Sequence, residues 1–196
     1  QGCPIIKSRP SQVITQKMSY FETNLKWEGI TILEISTEPV PKSCADDLKS
    51  KYCLQVLELR FQLLSGYNVA AKAWRRSLKS KSNDVPDVVH GKRILALHGW
   101  LDNANTFSGI APFIATNTDC LFIAIDFLGS GKSDYSPSYF YGGFASRIVT
   151  VVQVLDVLNW NKYALVGHSM GGTFYLCINL KKKKTYFLIF YSCLKV

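Results

Sequence analysis

Alternation of apolar and polar positions is clearest from Leu57 to Leu63, where Leu57, Leu59, Phe61 and Leu63 are separated by Glu58, Arg60 and Gln62. A period of two places the apolar set on one face of a half-buried strand. After Ser65-Gly66, "YNVAAKAW" reads as its hairpin partner. The pattern then changes. "RILALHGW" and "CLFIAIDFLGSG" are continuous apolar runs stopped by glycine and polar residues, which fits strands covered on both faces, as in a parallel sheet. Between them, Phe107, Ile110, Ala111 and Ile114 recur at helical spacing, with Asn103 or Asn105 as N-cap. Phe144, Ile148, Val151, Val152, Leu155 and Leu158 repeat that spacing, and "YALVG" follows as another short strand. Valine lowers helix propensity, but the length of the periodic stretch outweighs it. The alternation predicts an α/β sheet with right-handed crossovers.

The two ends are less regular. The pattern divides the chain into an extension of uncertain structure (1–55), an α/β domain (56–180) and a basic, then apolar tail (181–196). Within the extension, "QGCPIIKSRPSQVITQKMSYFETN" is polar and aperiodic, whereas "ITILEI" reads as a short strand isolated by "STEPVPKS". The tail segment "KKKKTYFLIFYS" reads in two ways: as a sixth strand with Tyr186 to Tyr191 buried beside "YALVG", or as spurious translation of A/T-rich noncoding triplets.

Composition narrows this picture only in places. With 196 residues, 47% of them hydrophobic, the chain can bury a substantial core and is not globally disordered. Its net charge of +9 invites a nucleic-acid partner, but Lys181, Lys182, Lys183, Lys184 and Lys195 carry five of those charges, which leaves +4 elsewhere. Lys72, Arg75, Arg76, Lys79 and Lys81 form a second basic patch, expected on a solvated loop. No nucleic-acid-binding motif surrounds it, so no such partner is expected. The six cysteines lack a C-x-x-C, which predicts reduced thiols and an intracellular, cytoplasmic protein. "YFLIFYSCL" falls well short of the roughly 20 residues that span a bilayer, so no transmembrane segment is expected, only weak membrane contact through the tail. Neither a metal nor a cofactor is anticipated.

Chemistry concentrates in three stretches. "VGHSMGG" fits G-x-S-x-G, a sharp strand-to-helix turn that exposes a serine hydroxyl. Ser169 is the nucleophile candidate, and the N–H of Met170, at a helix start, is one oxyanion donor. Gly167 and Gly171 allow strand and helix to approach closely around the strained serine. "LHGWLDNANTF" follows another strand, and its turn at Gly99 offers the N–H of Trp100 as the second donor. His98 reads as a support for that turn, and Asp102 and Asn103 as loop and cap residues. In "IDFLGSGKSD", Asp126 with Gly129 and Gly131 lacks a Walker pattern and reads as a structural turn, with a catalytic acid as the lesser alternative.

Taken together, "AAKAW", "LHGWLDNANTF", "IDFLGSGKS" and "LNWNKYALVGHSMGG" resemble, in order, segments of the α/β-hydrolase superfamily, and within it the serine hydrolase-like proteins. The resemblance covers about Gly66 to Leu176. It implies an α/β-hydrolase fold, here the N-terminal half of a mostly parallel sheet with flanking helices and without the last strands. It also implies hydrolysis of a small-molecule ester-type substrate through an acyl-enzyme.

One departure limits that expectation. The family places its catalytic acid and then its histidine after the serine, yet no His, Asp or Glu follows Ser169. His168, His98 and His90 are poor substitutes for a base. Serine proteases stripped of triad members keep roughly 10³- to 10⁴-fold acceleration over water. The sequence therefore predicts a hydrolase by resemblance whose chain alone is inactive or very weak. The alternative is a non-enzymatic relative that binds a ligand or partner.

Overall fold

A computed structural model describes residues 29–81, 91–135, 143–174 and 178, together with the backbone of 185–190. Residues 1–28, His90 and the lysine run 181–184 lie outside the described residues, and so do the expectations placed on them. The described strands are β1 (Ile30–Glu38), β2 (Tyr52–Gln62), β3 (Asn68–Leu78), β4 (Lys92–Leu97), β5 (Cys120–Ile125), β6 (Tyr163–His168) and β7 (Thr185–Phe190). They form one sheet in the order β1-β2-β3-β5-β4-β6-β7.

The expected hairpin is β2 against β3, antiparallel, with Leu57 opposite Ala73 and Phe61 opposite Val69. Gly66 closes its turn at φ 83°, a backbone region that side-chain-bearing residues rarely enter. Leu57, Leu59 and Phe61 are buried, whereas Glu58 and Arg60 are only half-buried, as a period of two requires. The three later strands are parallel neighbours: β4 pairs with β5 on one side and with β6 on the other. Every residue of β5 is buried, which explains its unbroken apolar run. The sheet is more mixed than the mostly parallel one expected, because β1 with β2, β2 with β3 and β3 with β5 all run antiparallel.

Two further expectations are corrected. "ITILEI" is not isolated. β1 continues through Ser36, Thr37 and Glu38 and pairs with β2 from Ile30↔Phe61 to Glu38↔Leu54. The sheet thus begins well before residue 56. Lys72, Arg75 and Arg76 sit on β3 instead of a loop, and the ladder to β2 sets their conformation. There Arg76 Nε bonds Asp119 at 3.0 Å, while the Lys72 ammonium lies 5.5 Å from the Trp74 ring centre.

Helices cover both faces. A short α1 (Asp46–Lys51) leads into β2. The helix predicted between β4 and β5 is split into a 3-10 turn, Ala104–Phe107, and α2 (Ala111–Thr118), with Pro112 at its start. Asn103 caps the turn by accepting a hydrogen bond from the Asn105 N–H. Phe107, Ala111 and Ala115 pack with Trp74, Ala96, Phe122 and Ala124 on one face. On the other face, Val151, Val154 and Leu155 of α3 (Phe144–Val157) pack with Leu95, Leu97, Ile123 and Ile125. Burying each such aliphatic side chain contributes about 1.5–3 kcal/mol, far more than the propensity cost of the valines in α3. That helix ends in a Schellman motif: Asn159 is left-handed, its N–H bonds the Asp156 carbonyl, and the Trp160 N–H bonds the Leu155 carbonyl.

Candidate active site

The C-terminal ends of β4, β5 and β6 bring the three motif stretches to one edge of the sheet. After β6 the chain bends at Ser169, with φ 52° and ψ −118°, and enters the single turn of α4 (Met170–Thr173). A serine at positive φ costs on the order of 1–3 kcal/mol, and only a surrounding structure that over-determines the bend can hold it there. Two close approaches supply that constraint. A Cβ on Gly167 would come within 2.5 Å of Gly172 Cα and N, and a Cβ on Gly171 would collide with the Leu97 carbonyl. Strand, bend and helix are thus clamped against the end of β4. The Ser169 side chain is left exposed.

Gly99 lies across from the bend, where an added Cβ would sit 3.3 Å from Ser169 Cβ and 3.2 Å from His168 Nδ1. Trp100 follows it, 63% exposed. Among the described residues, neither the Trp100 amide nor the Met170 amide donates a hydrogen bond to a neighbour.

His98 is fully buried and spans two loops. Its Nε2 accepts from the Phe127 N–H at 3.1 Å, so the proton resides on Nδ1, which donates to the Gly99 carbonyl at 2.7 Å. The ring also meets Phe127 edge to face, with centroids 4.9 Å apart. Burial pushes the imidazole pKa below its usual range. The Gly99 hydrogen bond and the carboxylates of Asp126 and Asp102 oppose that shift without reversing it.

Asp126 is buried and doubly occupied. Its Oδ1 accepts from the Ala104 N–H at 2.6 Å and its Oδ2 from the Lys132 N–H at 2.7 Å. A Cβ at Gly131 would strike that carboxylate.

Asp102 is half-buried, and its Oδ2 lies 3.8 Å from His168 Nδ1, within ion-pair range when the ring is protonated but too long for a hydrogen bond. Burial pushes the Asp102 pKa up. Hydrogen bonds from the Thr106 side chain and the Asn103 N–H, together with His98 and His168, bring it below the usual carboxylate value. The sequence reading treated these two residues separately. Their pairing depends on the contact of the β4 and β6 loops, which no local spacing encodes.

Arg147 was missed altogether. It projects from the first turn of α3 toward the bend, with its guanidinium carbon 5.4 Å from the Trp100 ring centre and 5.2 Å from that of Phe127. Its Nη1 lies 3.4 Å from Met170 Sδ. A single arginine among the apolar residues of "FASRIVTVVQVL" was the available signal.

Among the described residues, no three His, Cys, Asp or Glu side chains converge as metal ligands, and no helix is long and apolar enough to cross a membrane. Cys44, Cys53 and Cys120 are buried free thiols.

A serine at positive φ thus lies between a strand and a helix, facing the loop of a neighbouring parallel strand, and residues 92–184 match the alpha/beta hydrolase fold family. The described sheet and its helices have the α/β-hydrolase fold. It is 40% identical to a serine hydrolase-like protein of Dictyostelium discoideum over 58% of this chain and 28% of that protein. A human serine hydrolase-like protein is 37% identical over 60% of this chain and 50% of its own length. Among solved structures, a hypothetical protein of Pseudomonas aeruginosa PAO1 superposes with a TM-score of 0.53 at 31% identity, covering 67% of this chain and 42% of the other. The aligned stretches thus cover between a quarter and a half of the curated relatives with serine hydrolase-like names.

Proposed function

We propose that Ser169 is the nucleophile of an esterase-type site. The hydroxyl attacks an acyl carbonyl of a small ester, and the amides of Trp100 and Met170 donate to the oxyanion that develops. The observation that carries this reading is the Ser169 backbone, held at φ 52° beside two amides with no described partner. Strain of this kind persists where the surroundings impose it, and here they impose it on an exposed hydroxyl.

Activation is the weak point of the site. Of the three histidines, His98 uses both ring nitrogens in the fold, His168 turns its Nδ1 toward Asp102, and His90 lies outside the described residues. Asp126 is occupied by two backbone amides. A serine without an imidazole partner keeps only the acceleration of binding and the oxyanion hole, so this chain alone hydrolyses esters slowly.

A fluorophosphonate reagent tests the assignment, because it phosphonylates a competent serine without requiring turnover. Intact-mass spectrometry should show one adduct, absent from Ser169→Ala. A folded chain that takes up no reagent supports the second reading, a ligand-binding member of the fold in which the elbow is a remnant; the committed histidines favour that reading.

A further inference from the structure

Arg147 is a half-buried cation that its own neighbourhood does not neutralise. It stands in the first turn of α3, where the helix dipole is positive and no acidic residue is present to offset it. Burial pushes its pKa down, so the charge is held at a cost. Among the described residues, no carboxylate forms an ion pair with it. Asp126 spends both oxygens on backbone amides, and Asp102 faces His168. What holds the guanidinium is the pair of aromatic faces, Trp100 and Phe127, with the Met170 sulfur. Among the described residues, only Met170 Sδ accepts from it, so most of its five N–H donors have no described partner. Trp100 and Met170 also carry the two amides assigned to the oxyanion, so the cation sits at the rim of the reacting centre.

We propose that Arg147 binds a carboxylate on the substrate, so that the site selects esters carrying a second, negatively charged group on the part of the molecule that approaches Trp100 and Met170. The inference rests on the nucleophile assignment above for the word substrate, but not for binding itself. A planar fork held by aromatic faces suits bidentate pairing with a carboxylate, and partial burial strengthens the pair relative to bulk water. A neutral ester of the same shape leaves the charge uncompensated.

Monomethyl adipate and dimethyl adipate form a matched pair of probes, alike in length and differing by one charge. Their affinities are measured by calorimetry at pH 7.5 on the Ser169→Ala variant of the chain, which cannot consume them. The anion should bind at least tenfold more tightly, and the preference should weaken as salt is raised. Adding Arg147→Met should abolish the preference while leaving the dimethyl ester affinity within about twofold. Arg147→Gln serves the same purpose if the methionine variant fails to fold, as judged by its circular dichroism and melting transition. Equal binding of the two probes overturns the proposal. So does a preference that survives loss of the guanidinium, or an equal loss of both affinities, which would make Arg147 a clamp for Trp100. The fluorophosphonate adduct on the native chain is read separately: its absence alongside an intact anion preference removes the nucleophile assignment and leaves the anion site standing.

Discussion

Two glycine-rich bends lie at the ends of parallel strands on either side of β4, one after β5 at Asp126 and one after β6 at Ser169, and they use their polar groups in opposite ways. The first is saturated: Asp126 accepts two backbone amides, its carbonyl accepts from the Ser133 hydroxyl at 2.6 Å, and the Ser130 N–H bonds the Phe127 carbonyl. The second confines the backbone by close glycine packing and leaves its hydroxyl in solvent. An acid buried among amides is a brace. A serine held in strain and left exposed is what the proposed nucleophile requires.

The largest effect should come from emptying the brace. Asp126→Ala orphans the Ala104 and Lys132 amides, at about 1–3 kcal/mol each, so urea unfolding should show a loss of about 3 kcal/mol or more. A variant as stable as the native chain would erase the distinction between the two bends. Next in size is Gly171→Ala, whose methyl group meets the Leu97 carbonyl. Chemical denaturation should register about 2–3 kcal/mol, and phosphonylation should slow because the bend must open.

His98 ties the loop after β4, at Gly99, to the bend after β5, at Phe127, and gives that brace a pH dependence. Its pKa is depressed in the fold, so below the unfolded value of about 6.5 the unfolded chain binds the proton first. Stability is therefore flat above that value and falls as pH drops from 6.5 through the lower folded pKa. Denaturation midpoints at pH 7.5 and 5.5 should differ in this direction, and by less in His98→Gln. The depressed Asp102 pKa adds a loss only at more acid pH, below about 4.

The smallest effect has the opposite sign. Ser169→Gly relieves a positive φ and should raise stability by up to about 1 kcal/mol while abolishing phosphonylation. If thermal melting instead shows destabilisation, the bend is not strained.

How much of this was legible in the sequence depended on distance along the chain. The β2–β3 hairpin, α3 and the strand-to-helix turn at Ser169 are encoded locally, in a period of two, a period near 3.6 and a five-residue pattern, and each of these elements lies where the sequence put it. The extent of β1 was not legible, because Ser36, Thr37 and Glu38 become strand only by pairing with Val56, Gln55 and Leu54. The basic residues of β3 misled for a similar reason: their charge reads as loop, and their conformation comes from the β2 ladder. At the site, Ser169 announced itself through its glycines. Arg147 has no motif, and its importance depends on α3 packing beside the ends of β4 and β6.

The central proposal is that Ser169 is poised as a nucleophile with no imidazole base among the described residues, and the pH dependence of its phosphonylation tests both parts together. The rate of adduct formation at Ser169, followed by intact mass from pH 6 to 9, should climb steadily with hydroxide and show no plateau. A rate that levels off above an inflection near pH 6.5 to 7 would reveal a histidine acting as base. A folded chain that forms no Ser169 adduct at any pH would remove the nucleophile itself.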